Sequence, residues 1–322
     1  MYTSIEVCAG AGGQALGLER AGFRHLAAVE IDRHACMTLR ENRPQWDVYE
    51  EDLNEWISSY SLQYMGADLV AGGVPCPPFS VAGKQLGHED ERDLFPAMLK
   101  LVSIVRPRAV MIENVKGLLD SKFEYYRENL NQEFDNLGYT LHWKLLNASD
   151  YGVPQLRPRV VIVGIRNDEV GVFTFPEPHK TPPLSVGESL KELMGANGWK
   201  GLDEWVEKAN SIAPTLVGGS KKHGGPDLGP TRARRAWAEL GVNGSTLAYD
   251  PPEPEFEGLP RLTVPMAARI QGFPDDWKIT GAKTNAYRQV GNAFPPTVAE
   301  AVGKQIIKVL RETDKVKKRK NK

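Results

Sequence analysis

The sequence predicts an α/β protein built on a doubly wound, mostly parallel β-sheet, with a second and smaller domain. Three observations support this prediction. Short β-branched runs alternate with helix-like stretches in the first half of the chain, a pattern typical of a parallel sheet covered on both faces. A glycine-rich turn follows the first predicted strand, and after about residue 170 the regular pattern gives way to segments rich in proline and glycine.

The individual elements follow from hydrophobic periodicity. Strands are predicted at residues 4–8, 25–31, 46–52, 67–73, 108–115, 141–147 and 159–165. Helices are predicted between them, at residues 13–22, 33–42, 93–105 and 123–138. Regular pattern returns at residues 262–270 and in an amphipathic helix at residues 297–310, and we expect the basic end, residues 315–322, to fray.

Composition places the chain in a broad class. Its 322 residues are 41% hydrophobic and 25% charged, which is typical of a soluble globular protein. The cysteines Cys8, Cys36 and Cys76 form neither a disulfide framework nor a zinc pattern, so we expect a cytoplasmic protein without a metal. The N-terminus predicts no signal peptide or membrane span. A net charge of −1 means that nucleic-acid binding would require a local basic patch.

A nucleotide-binding turn is indicated at residues 6–13, "EVCAGAGG". Its glycines allow close backbone approach to a ligand, and the following helix offers free N–H groups. Glu30, at the end of the next strand, is placed to bind ribose hydroxyls, and Asp52, ending the third, to accept from an adenine amino group. A plain tight turn with two strand-end acids is the alternative. The pattern predicts an adenosine-type ligand without separating a nicotinamide cofactor from S-adenosylmethionine.

A second cluster of candidate residues lies at later strand ends. Cys76 stands between two prolines after the fourth strand, where an intrinsically nucleophilic thiol would be held outside regular structure. Glu113 closes the fifth strand and is a candidate proton donor with a raised pKa. Arg157 and Arg159 would share one face of an extended segment and hold an anionic or carbonyl-bearing ligand. The alternatives are a buried inert cysteine, a capping acid and a solvated arginine pair. For Cys8, in a strand, and Cys36, on a helix, we favour the inert role.

Six motifs resemble, in order, those of DNA cytosine-5 methyltransferases of the bacterial restriction–modification type. They are "EVCAGAGG", "GGVPCPPFS", "ENV", "QLRPR", "RLTVPMAARIQGFP" and "YRQVGNAFPPTVAEAVG". The resemblance implies an S-adenosylmethionine-dependent methyltransferase fold and leaves only about residues 170–260 without a shared motif.

The resemblance also implies roles for the candidate catalytic residues. Cys76 matches the nucleophile that attacks carbon 6 of a cytosine flipped out of the duplex. Glu113 matches the acid that engages ring nitrogen 3, Arg159 the arginine at the cytosine carbonyl, and Arg157 an arginine that supports the site. The matching S-adenosylmethionine-binding positions are Ala9, Gly10, Gly12, Glu30, Asp52, Pro75 and Asn292.

The chain departs from the family pattern at two positions. Cys8 stands where the family usually has an aromatic residue that faces the cofactor, and Pro77 where it usually has glutamine. Residues 81–93 resemble the loop that closes over DNA and excludes water.

DNA recognition is expected from the segment without shared motifs. Residues 208–235 carry six basic residues, beginning with Lys208, against one acidic residue, a net charge of +5, suited to phosphates and guanine edges. Thr215 belongs to a Thr-Leu pair that resembles one in such segments. The residues predicted to bind DNA are Ser80, Thr215, Lys221, Lys222, Arg232, Arg234 and Arg235.

These observations lead to one functional prediction. We expect a monomer that methylates carbon 5 of a cytosine within a short duplex DNA sequence. It would have a catalytic and cofactor-binding domain at residues 1–175 plus 284–322 and a target-recognition domain at residues 176–283. The cofactor product would be S-adenosyl-L-homocysteine. The enzyme would act together with a cognate restriction endonuclease, and physical contact between the two proteins is not implied. The alternatives are a tRNA cytosine-5 methyltransferase, a non-catalytic DNA-binding relative and a nicotinamide oxidoreductase.

Overall fold

A computed structural model describes residues 1–75, 93–219 and 225–320 of the chain. Its centre is a seven-stranded sheet in the order β3-β2-β1-β4-β5-β7-β6. The strands are β1 (Tyr2–Val7), β2 (Phe23–Glu30), β3 (Val48–Glu50), β4 (Leu69–Gly72), β5 (Ala109–Val115), β6 (Tyr139–Asn147) and β7 (Pro158–Arg166). All seven predicted strands are therefore confirmed, with small shifts at their ends.

Two of these shifts concern candidate residues. β1 ends at Val7, so Cys8 lies in the following turn with a left-handed φ of 51°, and its prediction as a strand residue is wrong. β3 ends at Glu50, so Asp52 does not close that strand. Its carboxylate instead accepts a hydrogen bond of 2.8 Å from the Asn54 N–H and caps the next helix.

The sheet is parallel except at β7. Strands β1 to β5 pair in parallel, whereas β7 runs antiparallel to both β5 and β6. Only residues 148–157 join β6 to β7, and a parallel connection requires a crossover of about a dozen residues or more, usually a helix. The mostly parallel prediction is confirmed, and the short connection explains the exception.

The described residues form eleven α-helices. They are α1 (Gly13–Ala21), α2 (Arg33–Asn42), α3 (Leu53–Tyr60), α4 (Phe95–Val105), α5 (Glu124–Asn136), α6 (Val186–Met194), α7 (Leu202–Lys208), α8 (Thr231–Glu239), α9 (Val264–Ile270), α10 (Lys283–Asn292) and α11 (Pro296–Lys320). None of these helices is long and apolar enough to cross a membrane. The four helices predicted between the strands are present, but the sequence analysis missed α3, whose buried Leu53, Trp56 and Ile57 follow helical spacing.

The end of the chain differs from the prediction. The expected fraying after residue 315 is wrong, because α11 continues to Lys320. Thr313 is fully buried in it, and Asp314 accepts a hydrogen bond of 2.7 Å from the Tyr2 hydroxyl and pairs with Arg108 at 2.9 Å. These contacts fasten the helix to the sheet close to its last turns.

The hydrophobic core that the described residues form has three parts. One lies between the sheet and α3, α4 and α5, and a second between the opposite face and α11. The third joins α1 and α2 to residues between Val186 and Ala293, so the two predicted domains share a continuous apolar contact. Trp277 belongs to this cluster and donates from Nε1 to the Ala11 carbonyl at 3.0 Å, which ties the later segment to the glycine-rich turn.

Candidate active site

A cavity of about 430 Å³ lies at the carboxyl edge of the sheet, where open α/β sheets bind ligands. Strand ends and turns supply one wall, and residues from α10 and the segment after it supply the other. The sequence-predicted residues that line the cavity are Ala9, Gly10, Glu30, Glu113 and Asn292. The fold thus brings predicted cofactor residues and the predicted catalytic acid to one space.

The glycine-rich turn is built around Glu30. Its Oε2 accepts a hydrogen bond of 2.8 Å from the Gly10 N–H, and its Oε1 accepts one of 2.7 Å from the Asp32 N–H. Burial raises the Glu30 pKa, and these backbone hydrogen bonds oppose the rise. Both oxygens keep a lone pair for further donors, so Glu30 fixes the turn and still presents acceptors to a ligand.

Two glycines of this turn are required by their surroundings. Gly12 has φ +83°, and a Cβ there would lie 2.9 Å from the Trp277 ring. At Gly13 a Cβ would lie 2.2 Å from the Phe294 carbonyl oxygen. The first turn of α1 therefore packs directly against residues from the far end of the chain.

Two buried polar residues at the cavity, Glu6 and Gln14, were not among the residues predicted from the sequence. Glu6 is 1% exposed, and its Oε2 has no hydrogen-bond partner among the described residues. Gln14 is 4% exposed, and neither the oxygen nor the nitrogen of its amide has a hydrogen-bond partner among these residues. Burial raises the Glu6 pKa well above its ordinary value. Buried polar groups are normally hydrogen-bonded, so this pair indicates a place for polar ligand groups. An acid inside the apolar strand "SIEV" was the available signal for Glu6.

The α10 wall adds a basic residue that the motifs did not single out. Arg288 lines the cavity, donates to Asn285 Oδ1 at 2.9 Å, and lies 3.7 Å from the carboxylate of Asp32. Asn292, one helical turn further on, donates from Nδ2 to the Gly219 carbonyl at 3.2 Å. The cavity rim is therefore held together by contacts between distant parts of the chain.

Glu113 and Arg159 form a mostly buried ion pair. The Arg159 Nε lies 2.7 Å from Glu113 Oε1, and the two side chains are 14% and 12% exposed. Burial raises the Glu113 pKa, while Arg159 and Arg157 oppose the rise. The result is an acid at the cavity whose pKa lies above the ordinary value, as the sequence predicts.

The described residues of the Pro-Cys motif, residues 72–75, lie beside Glu113. A Cβ on Gly73 would lie 3.1 Å from Glu113 Oε2, and Asn114 Nδ2 donates to the Val74 carbonyl at 2.9 Å. The Pro75 carbonyl accepts from the Leu94 N–H at 3.2 Å. Cys76, Pro77 and Ser80, with residues 81–92 of the predicted loop, lie outside the described residues.

Arg157 is a buried arginine whose side chain contacts the backbone of distant segments. It is fully buried, and its guanidinium donates to the Leu216 carbonyl at 2.8 Å and the Gly291 carbonyl at 2.7 Å. Arg157 is thus engaged by two backbone carbonyls, whereas Arg159 pairs with Glu113, so the two arginines do not make the same contacts. The supporting role of Arg157 that the family resemblance implies stays a prediction. Arg157 joins β7 to α10 and to the segment with predicted DNA-binding residues.

The remaining cofactor candidates lie near the cavity but outside its lining. Gly12 packs on Trp277, Pro75 precedes the undescribed loop, and Asp52 caps α3. Cys8 does line the cavity, and burial raises the pKa of its thiol. Cys36 is buried on α2 and its thiol donates to the Glu30 carbonyl.

The predicted DNA-binding residues are only partly described. Arg232, Arg234 and Arg235 are exposed on α8, and their side chains make no hydrogen bond or ion pair with other described residues. The Thr215 hydroxyl donates to the Leu156 carbonyl. Lys221 and Lys222 lie outside the described residues, and the described part of the chain contains no cluster of potential metal ligands.

Solved structures share this architecture. A prophage-encoded DNA modification methyltransferase from E. coli has a TM-score of 0.68 at 25% identity, covering 97% of this chain and 100% of that one. The S. pombe Dnmt2 methyltransferase has a TM-score of 0.65 at 17% identity, covering 96% and 99%, a likeness that bears on the fold alone. The fold is therefore that of a methyltransferase, with its cavity at the expected edge.

The comparison of sequences identifies the family. The model for C-5 cytosine-specific DNA methylases matches residues 2–308. The chain is 55% identical over 305 residues to the Type II methyltransferase M.NaeI of Lentzea aerocolonigenes, covering 94% of this chain and 74% of that relative. It is 54% identical over 315 residues to M.NgoMIV of Neisseria gonorrhoeae, covering 97% and 99%. The chain belongs to this family and is a DNA cytosine-5 methyltransferase of the Type II restriction–modification type, which confirms the resemblance of its motifs.

Proposed function

We propose that this enzyme transfers a methyl group from S-adenosylmethionine to carbon 5 of a cytosine that is flipped out of a specific short duplex sequence. The observation that carries the proposal is one cavity lined by both the glycine-rich turn with Glu30 and the catalytic acid Glu113. A methyl donor bound at the turn would lie beside a base bound at the acid. This arrangement matches a reaction between two bound groups.

The residues of the cavity fit S-adenosylmethionine. Glu30 offers carboxylate lone pairs to the ribose hydroxyls, and the unpartnered Glu6 and Gln14 offer a carboxyl group and an amide to the polar methionine end. Asn292 closes this part of the cavity from α10. The bound cofactor supplies an electrophilic methyl group. Asp52 remains a proposed contact to the adenine, although its carboxylate also caps α3.

The catalytic roles divide among three side chains. The Cys76 thiolate adds to carbon 6 across the double bond between carbons 5 and 6, which makes carbon 5 nucleophilic enough to take the methyl group. Loss of the carbon 5 proton to water and elimination of the thiolate then restore the double bond and free the cysteine. Glu113, whose raised pKa favours the protonated form, donates a hydrogen bond to ring nitrogen 3 and limits the negative charge that develops on the ring. Arg159 holds Glu113 in place through their 2.7 Å contact and contacts the cytosine carbonyl. Arg157 supports this site by fixing the surrounding backbone.

Target recognition is assigned to residues 176–283. The exposed arginines of α8 and the lysines at 221 and 222 would contact phosphates and guanine edges. Flipping the cytosine costs a few kcal/mol of unstacking, which these contacts offset. Methylation of the recognised sequence would protect host DNA from a cognate endonuclease, as in restriction–modification systems.

Replacing the nucleophile tests the proposal. The Cys76→Ser variant should lose methyl transfer from labelled S-adenosylmethionine to duplex DNA while it keeps DNA binding. Cys36→Ser is the matched control, because the serine hydroxyl can donate to the same Glu30 carbonyl, and it should retain activity. Substantial turnover by Cys76→Ser would refute the mechanism. A wild-type preference for tRNA over duplex DNA would refute the substrate, and bisulfite sequencing of DNA from expressing cells would locate the modified cytosine.

A further inference from the structure

The exposed face of α11 carries a row of basic side chains, which we call the α11 basic face. Its members recur at intervals of four and three residues, so they lie on one side of the helix. They are Lys304, Lys308, Arg311, Lys315 and Lys318, all exposed. Lys304 pairs with Glu300 at 2.5 Å, whereas the side chains of the other four make no hydrogen bond or ion pair with any described residue.

The positive charge is concentrated in this part of the chain. Residues 304–320 contain eight basic and two acidic residues, a net charge of +6, although the whole chain has a net charge of −1. One of the two acids, Asp314, pairs with Arg108. The end of α11 therefore presents a local positive field on a protein whose remaining residues are net acidic.

The opposite face of α11 fixes the orientation of these side chains. Ile306, Val309 and Leu310 are buried against the sheet, and Thr313 Oγ1 accepts a hydrogen bond of 2.9 Å from the Val170 N–H. The basic residues are therefore displayed outward from a packed helix and are ordered before any ligand binds.

The α11 basic face lies far from the catalytic cavity. α11 begins at Pro296, two residues after Phe294 of the cavity wall. Asp314 contacts Tyr2, where β1 begins, and Arg108, which precedes β5, so this end of α11 lies at the amino edge of the sheet. At 1.5 Å per residue, the helix separates Lys315 from Pro296 by roughly 28 Å. The face is thus outside the cleft that holds the target cytosine.

We propose that the α11 basic face binds the phosphate backbone of a second segment of duplex DNA. A row of unpaired lysine and arginine side chains matches a polyanion in charge, and DNA is the polyanion on which this enzyme acts. The contacts would be independent of sequence, because they would neutralise phosphates and release counterions. Their effect would be to keep the enzyme on long DNA while the cleft searches for its target, with binding that weakens steeply as salt rises.

Two double variants with the same net charge test this proposal. Lys308→Gln/Lys315→Gln removes two charges from the α11 basic face. Lys100→Gln/Lys144→Gln removes two exposed charges elsewhere, on α4 and β6. Anisotropy titrations measure the affinity for a labelled duplex without the target sequence over a range of salt, with an unlabelled target duplex already in the cleft. A third variant, Lys308→Arg/Lys315→Arg, keeps the charge and checks that the helix surface tolerates substitution.

The proposal predicts a difference between the two charge-removing variants. The α11 variant should bind the second duplex on the order of tenfold more weakly near 0.1 M salt, and its salt slope should fall by about 1.8, or 0.9 per lost phosphate contact. The Lys100/Lys144 variant and the arginine variant should bind like the wild type. All should methylate a short target duplex at the wild-type rate. Equal losses in both charge-removing variants, an unchanged α11 variant, or a slower reaction on the short duplex would overturn the proposal.

Discussion

Replacing Arg159 by methionine would leave Glu113 buried without its closest charge partner. The two side chains are 14% and 12% exposed and meet at 2.7 Å, and removal of one member of such a pair costs about 3–5 kcal/mol, because the other charge is left uncompensated. Arg157 still acts favourably on the Glu113 carboxylate, which places the expected cost near the lower limit, about 3 kcal/mol at a pH where Glu113 is ionised.

The pH dependence of this cost has a definite sign. The Glu113 pKa is already raised by burial and lies above the ordinary value, so Glu113 favours folding at low pH and this contribution is lost as pH rises through the folded-state pKa. Loss of Arg159 removes an effect that lowers the pKa, and each further unit of increase is worth about 1.4 kcal/mol. Arg159→Met should therefore be least destabilising near pH 5 and progressively more so toward pH 8.

Urea unfolding followed by tryptophan fluorescence at several pH values measures this cost. Lys191→Met is the control, because Lys191 pairs at 2.9 Å with Asp203 and the two side chains are 55% and 86% exposed, and exposed pairs contribute about 0–1 kcal/mol. In Glu113→Gln/Arg159→Met the loss should be smaller than the sum of the single losses, by about 2 kcal/mol. A cost that does not change with pH, or additive losses, would refute the account of the pair.

Two further predictions concern the cofactor turn and the packing behind it. Glu30→Gln should weaken S-adenosylmethionine binding at least tenfold in calorimetry, since the amide cannot accept hydrogen bonds from both the Gly10 and Asp32 N–H groups. The control Glu50→Gln, at an exposed position, should leave the affinity unchanged. Tight binding by Glu30→Gln would contradict the role of Glu30. Gly17→Ala should lower the free energy of unfolding by more than Gly66→Ala does. The new Cβ at position 17 would lie 2.2 Å from the Pro296 carbonyl oxygen, whereas a Cβ at position 66 (φ +84°) would meet no atom within 4 Å. The Gly66 variant should be destabilised only by the strain of a left-handed backbone conformation, about 1–2 kcal/mol. Equal losses of stability in the two variants would show that α11 moves to accommodate the methyl group at position 17.

The elements of the sheet were predictable because each depends on local pattern. β-branched runs bounded by turn residues indicated all seven strands, and glycine and acid positions at strand ends indicated Gly10, Glu30 and Glu113 at one edge. α3 was missed because its eight residues carry only a short apolar pattern. Asp52 was predicted to end β3 but caps α3, because an acidic residue is equally compatible with both positions and β3 ends only two residues earlier.

The partners of the candidate residues depended on contacts between distant segments. Arg157 and Arg159 have the same side chain and a spacing of two, yet one donates to the Leu216 and Gly291 carbonyls and the other pairs with Glu113. No local pattern separates them, because the carbonyls that engage Arg157 come from residues 59 and 134 positions away. Glu6 and Gln14 are similar cases, since their lack of partners arises only after the chain has closed around the cavity.

The sequence by itself determined the family, the fold class and the class of reaction, methylation of cytosine in DNA, since ordered motifs and hydrophobic periodicity are local properties of the chain. Only the tertiary structure decided which polar groups share the cavity, which arginine holds the acid, and that the basic end of α11 forms a packed helix at the opposite edge of the sheet. The physical reason is that burial and pairing depend on all segments that surround a group, and they set both its pKa and its availability to a ligand.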